Sequence, residues 1–255
     1  METPAPGPAP TTSLVARMFN VFATPGEVFD EVKSAKPATV NWLIPVLLAA
    51  LAGALSVLII FSQPAYVQQM REQVDKGFDA QVQAGKMTQS QADQAMGWML
   101  SIAKISGVTG ATVMAFVRVF WWAFVLWLLG KWFLKIDLPY EKALEVAGLA
   151  TMILVLGYVV GGMLSMLLGK PATLSLALLT PDADPKSMVR LGLATLDFFD
   201  LWLVMVMATG LARLSGAPWS RALTLTFGYW VALELFLIFL SWSAVLYGSQ
   251  IAKHP

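Results

Sequence analysis

The sequence contains no cysteine and only one histidine, His254, next to its last residue. Without cysteine there is no disulfide, no thiol nucleophile and no thiolate metal site. With a lone terminal histidine there is no metal pair on a helix, no Ser-His dyad and no zinc-protease motif. No catalytic residue, metal ligand or cofactor site is therefore assigned. Charge is also scarce. Asp, Glu, Lys and Arg together make up 13% of the chain, about half of what covers a soluble domain. The net charge of +1 offers no basic footprint, so nucleic acid is not an expected partner.

The remainder is mostly apolar, 57% of all residues, and it comes in blocks. A bilayer core about 30 Å thick needs about 20 apolar residues in a helix. Five blocks reach that length: residues 42–61, 105–129, 146–168, 191–214 and 222–247. The expected fold class is all-α, a polytopic transmembrane helical bundle of five spans over residues 37–250, with the lipid bilayer as its first partner. Five spans place the two ends on opposite sides. Lys and Arg barely decide which. The segments sharing a side with the N-terminus carry Arg17, Lys33, Lys36, Lys131, Lys135, Lys142, Arg213 and Arg221. The other side carries Arg71, Lys76, Lys86, Lys104, Lys170, Lys186, Arg190 and Lys253. The counts tie. The short loops after spans two and four are the denser ones, which favours a cytoplasmic N-terminus.

The segments outside the spans divide in two. After Met1, residues 2–12 are Pro, Ala, Gly and Thr with one Glu. They lack the basic patch and apolar core of a cleaved signal and read as a disordered tail. Residues 13–36 are amphipathic. Leu14, Met18 and Phe22 recur at a spacing of four, and Thr24-Pro25-Gly26-Glu27 starts a second helix with Thr24 as N-cap and Pro25 at its first position. Val28, Phe29 and Val32 share its apolar side. Such helices either lie in the headgroup layer or pack on the ends of the spans. Residues 63–104 form the long polar stretch. Gly85 breaks it, and Thr88 with Gln91 forms a capping box, so an extramembrane helical hairpin is expected, its second arm running into span two.

Four ionisable residues fall within apparent spans: Arg118 in span two, Asp197 and Asp200 in span four, Glu234 in span five. Each costs on the order of 2.5–3.5 kcal/mol at the centre of an inserting helix. Arg118 and Glu234 should turn inward and find partners. Three acids face one base, so at depth the surplus must be protonated, bind a cation or reach water. If instead Asp197 and Asp200 lie near the interface, Arg118 and Glu234 form a structural tie. Both sit mid-span, so Glu234 is the expected partner of Arg118, with Asp200 as the competitor. In span three, Gly157, Gly161, Ser165 and Gly169 recur at a spacing of four. This small-residue stripe should carry the tightest helix packing.

Several stretches taken together resemble the Yip family, the Ypt/Rab-interacting membrane proteins, in its bacterial form. They are Phe22-Ala23-Thr24-Pro25-Gly26-Glu27-Val28-Phe29, then Asn41-Trp42-Leu43-Ile44-Pro45 entering span one, and Gly157-Tyr158 in span three. Leu196-Asp197-Phe198-Phe199-Asp200-Leu201-Trp202 with Gly210-Leu211 frames span four, and Arg221-Ala222 precedes span five. The resemblance covers about residues 17–250. It implies five spans, a cytosolic N-terminus and no established catalytic activity. The eukaryotic Asp-Leu-Tyr-Gly-Pro element is absent, so a Rab-type GTPase partner is not implied. The expected function is a non-enzymatic scaffold in membrane organisation or trafficking, placed in a bacterial inner membrane, with another membrane protein or a second copy as partner. The alternative is a small transporter using Arg118, Asp200 and Glu234.

Overall fold

A computed structural model describes residues 12–180 and 187–251. Most of the expected tail, the turn-rich 181–186 stretch and the last four residues lie outside that description. The described chain is helical, with five helices long and apolar enough to cross a membrane and no strand among them. Two short helices come first, α1 (Leu14–Ala23) and α2 (Pro25–Ser34). The spans follow: α3 (Val40–Phe61), the lower part of α5 (Gln89–Leu128), α6 with α7 (Tyr140–Ala150 and Met152–Leu168), α9 (Phe198–Ser215) and α10 (Trp219–Ile251). Helix α4 (Pro64–Gln83) and the upper part of α5 make the hairpin, and α8 (Met188–Thr195) lies between α7 and α9. The face that carries α1 and α2 is called the near face below, and the opposite one the far face.

The hairpin forms as its turn chemistry demands. Gly85 takes φ +67°, a left-handed value that suits glycine. Lys86 N–H then reaches back to Gln81 O at 2.9 Å and closes α4. Thr88 Oγ1 accepts from Gln91 N, and Gln91 Oε1 accepts from Thr88 N, so the capping box is complete. Ala92 and Met96 are buried beneath α4. Thr24 behaves differently. It stands at the head of α2, but its hydroxyl makes no cap there and donates back to Asn20 O at the end of α1.

Two boundaries differ from the sequence reading. Span three starts at Tyr140 rather than near residue 146, which brings Lys142 and Glu145 into the helix. Span four starts at Phe198 rather than near residue 191. Leu196 and Asp197 break the chain there, and an isolated bridge joins Ser175 to Asp197. Periodicity sees Leu191 to Leu214 as one apolar run, whereas Asp197 stops one helix and caps the next: its carboxylate accepts from Phe199 N at 2.8 Å.

Helix α6 is the hub. Every residue from Lys142 to Ala150 is buried, against α3, α5, α9 and the two N-terminal helices. Its small residues allow this. A Cβ on Gly148 would lie 2.2 Å from Trp42 Cα and 3.1 Å from Asn41 O. A Cβ on Gly210 of α9 would lie 2.2 Å from Val146 Cγ1. These approaches are tighter than any along the expected stripe. A Cβ on Gly157 would lie 3.0 Å from Phe199 Cγ and one on Gly161 3.3 Å from Ala172 O, while Gly169 is the left-handed end of α7 with open space around it. Ser165 is buried but spends its hydroxyl on backbone, donating to Gly161 O and accepting from Ala172 N. The chain after Gly169 thus folds back onto the stripe, and the tightest packing, at Gly148 and Val146, sits about two and a half to three turns before it.

The N-terminal helices dock on this hub. Met18, Val21, Val28, Phe29 and Val32 are buried in the same core as the spans. Val15 and Phe19 of α1 stay exposed, which leaves one apolar strip to meet the headgroup layer.

Gly148→Ala should destabilise the protein in detergent by about 1–3 kcal/mol, the cost of overpacking, because the obstruction is backbone. Gly97→Ala on the exposed part of α5, where a Cβ meets nothing within 4 Å, should be neutral or stabilising by up to about 1 kcal/mol. Thermal unfolding of both variants in the same detergent checks the contrast. Reporter fusions at the two ends should label from opposite sides of the membrane.

Candidate functional site

The most deeply buried charges lie at the near face, where the sequence reading placed no site. Lys142 and Glu145 stand one turn apart on α6, 7% and 1% exposed. Lys142 Nζ donates to Val32 O and Ala35 O, the last carbonyls of α2. Glu145 Oε1 accepts from Ala38 N at 2.9 Å and from Asn41 Nδ2 at 2.6 Å, at the first turn of α3. The cation thus sits at a helix C-terminus and the anion at a helix N-terminus, as the helix dipoles favour. Glu145 Oε2 lies 3.1 Å from Lys142 Nζ. That contact is ionic only, since Oε2 accepts no hydrogen bond among the described residues.

Arg17 of α1 completes the network. Its Nε pairs with Glu31 Oε2 at 3.2 Å and its Nη1 donates to Asn41 Oδ1 at 3.4 Å. Thr12 also donates to Glu31. At the edge of the face, Arg213 of α9 pairs with Asp30 at 2.9 Å and Lys33 Nζ donates to Arg213 O at 2.9 Å. The Arg213 guanidinium lies over Gly26, where there is no Cβ to keep it away. Between the α1–α2 turn and the α9–α10 turn opens a cleft of about 690 Å³, with Glu27, Asp30, Lys33, Arg213 and Trp219 on its walls.

The four ionisable residues expected in the spans lie farther up. Arg118 pairs with Asp200. The expected pairing with Glu234 does not form: Glu234 is half-buried on α10 and makes no ion pair among the described residues. It stands near enough to Asp200 and Arg118 to interact with both charges. The reason is the start of α9. With Phe198 as its first residue, Asp200 enters the first turn, about 1.5 Å of rise per residue beyond the cap, and meets Arg118 on the membrane-spanning part of α5. The Tyr229 hydroxyl on α10 is taken by Trp121 Nε1 at 2.6 Å, and its ring packs edge-on against Trp122.

Arg118, Asp197 and Asp200 line one cavity of about 200 Å³, together with Tyr158 and Thr173. A second, of about 220 Å³, lies between α3, α5 and α7 along Gly157, Gly161 and Ser165. Of the stripe, only Gly169 is absent from both linings. Among the described residues no group of His, Asp and Glu is arranged to hold a metal ion.

The network at Glu145 had a faint signal in the sequence. Lys142 and Glu145 are spaced i,i+3 at the head of a run of Ala and Gly, and small residues around a charge let neighbouring helices close over it. Arg17, Glu31 and Asn41 had none, because their meeting depends on how α1 and α2 fold back.

Fold and site together define a five-span helical membrane protein whose N-terminal amphipathic helices are locked to its spans by buried polar contacts. The Yip1 domain model matches residues 19–242, nearly the whole chain, and the protein belongs to that family. No curated protein and no solved structure matches it.

Glu145→Ala should cost about 3–5 kcal/mol of stability, because it leaves Lys142 buried without its counter-charge. In a double-mutant cycle read by detergent unfolding, Arg118→Ala and Asp200→Ala should couple by about 0.5–3 kcal/mol, and Arg118→Ala with Glu234→Ala by less. Stronger coupling to Glu234 would contradict the observed pair.

Proposed function

We propose that this Yip1-family protein is a non-enzymatic scaffold acting in membrane organisation or trafficking. One observation carries the reading. The cleft on the near face and the two cavities towards the far face share no lining residue. The ion pairs tie the framework together: Lys142 with Glu145 clamps α2 and α3 to α6, Arg17 with Glu31 joins α1 to α2, and Arg118 with Asp200 joins α5 to α9. A scaffold needs such a rigid framework, whereas a transporter needs a polar path through it. The near-face cleft, with Trp219 half-exposed at its rim, is the surface this reading gives to a membrane-protein partner or a second copy. The near face is taken as cytoplasmic, since its short loops are the more basic, and the membrane as the bacterial inner membrane.

One observation favours the transporter reading. Glu234 has no ion pair among the described residues yet stands near Arg118 and Asp200, so two acids share one base within the spans, with Asp197 at the margin.

Protein reconstituted into sealed vesicles with a pH-sensitive dye inside decides between them. The scaffold reading expects proton and cation leak equal to that of protein-free vesicles, unchanged by Asp200→Asn or Glu234→Gln. Leak that exceeds the control and falls with either substitution would establish transport instead.

A further inference from the structure

The two cavities towards the far face are adjacent. Gly157, Tyr158 and Thr173 line both. Their chemistry differs sharply. In the cavity between α3, α5 and α7, the serine and threonine hydroxyls on the wall are already used, Thr173 on Ser175 Oγ. Ser56 donates to Ala52 O and Tyr158 O, and Ser165 bonds to Gly161 O and Ala172 N. What remains is Gly53, Val57, Ile60, Ala111, the glycines of α7 and Tyr158, whose ring lies beside Gly53 and whose hydroxyl makes no hydrogen bond among the described residues. An apolar space of about 220 Å³ stays dry and takes an apolar guest. Within a bilayer the guest at hand is an acyl chain.

The adjoining cavity of about 200 Å³ sets three charged side chains, Arg118, Asp197 and Asp200, among Leu154, Leu174 and Phe199. Arg118 gives one nitrogen, Nη2, to Asp200; its other guanidinium N–H groups make no hydrogen bond among the described residues. Asp197 uses Oδ1 on Phe199 N, and its second oxygen makes none among them. A spare guanidinium donor suits a phosphate. Arg118 with Asp200 and Asp197 nevertheless sums to one negative charge, which disfavours a plain anion and suits a head that also carries a cation.

We propose that the two cavities form one amphiphile site that holds a phospholipid with an acyl chain along Gly157, Gly161 and Ala111. The phosphate lies against Arg118 and a primary ammonium against Asp197 and Asp200. The site is independent of the scaffold reading: it stands or falls on lipid retention, whatever the protein organises.

The test uses full-length protein, stripped of lipid in dodecyl maltoside and offered equal concentrations of palmitoyl-oleoyl phosphatidylethanolamine, phosphatidylglycerol and phosphatidylcholine. Native mass spectrometry counts the lipid retained. The expected result is one phosphatidylethanolamine per chain, about tenfold over either competitor. Phosphatidylcholine has the same net charge but no N–H to give, so it isolates the hydrogen bonds to the two acids. Ala111→Leu should fill the apolar cavity and lower retention about tenfold. Asp197→Asn keeps the helix cap but removes a charge, so it should keep one lipid and lose the preference over phosphatidylglycerol. Equal retention of all three lipids by the unaltered protein would mean annular lipid only and overturn the proposal. So would retention indifferent to Ala111→Leu. Should that variant fail to fold, an unchanged preference in Asp197→Asn overturns the head assignment. Displacement by equimolar glycerophosphoethanolamine, which has the head and no chains, would overturn the acyl part and mark a site for a water-soluble zwitterion.

Discussion

One buried carboxylate holds the near face together. Glu145 is almost wholly shielded, and its charge is tolerable only because it is shared among the first turn of α3, the Asn41 amide and the Lys142 ammonium. Lys142 in turn holds the last carbonyls of α2. One turn of α6 therefore clamps both sides of the short connection between the amphipathic α2 and the first span. Such a pair adds little over an apolar alternative, but each half depends on the other. Its value here is positional: it fixes the angle at which two surface helices meet a membrane bundle.

That clamp works because α6 is thin. Helix association in lipid gains little from the hydrophobic effect and depends on close van der Waals approach. Gly148 admits the backbone of α3 at Trp42, and Gly210 admits Val146. Side chains at these positions would push the helices apart and open Lys142 and Glu145 to lipid or water. Packing and electrostatics are thus one constraint on the near half. Towards the far half the same span loosens. Gly161 and Ser165 face the returning chain after Gly169 and a cavity.

The family follows from the Yip1 match over residues 19–242. The ion pair between Arg118 and Asp200 and the polar cavity beside it give the far half a different character from the clamp. There the charges are partly open, the walls are lined by small residues and the polar groups have capacity left. The near half is built to be rigid, and the far half has room.

Much of the architecture was legible in the sequence alone. Five apolar blocks and scarce charge specify five spans, because an unbroken apolar run of about 20 residues satisfies its own backbone inside lipid as a helix. The helical hairpin was legible too, since Gly85 and the Thr88–Gln91 box act within a few residues. Asp197 as a helix cap was written in local chemistry but hidden by the apolar run around it. What only the tertiary structure decided were the partners. Whether Arg118 meets Asp200 or Glu234 depends on the residue at which α9 begins and on which helices touch. Arg17, Glu31, Asn41, Lys142 and Glu145 converge from four helices spread over more than half the chain. Periodicity reports which face of a helix is apolar, not which neighbour it meets. A buried charge is defined by that neighbour, so its role stays invisible until the helices are packed.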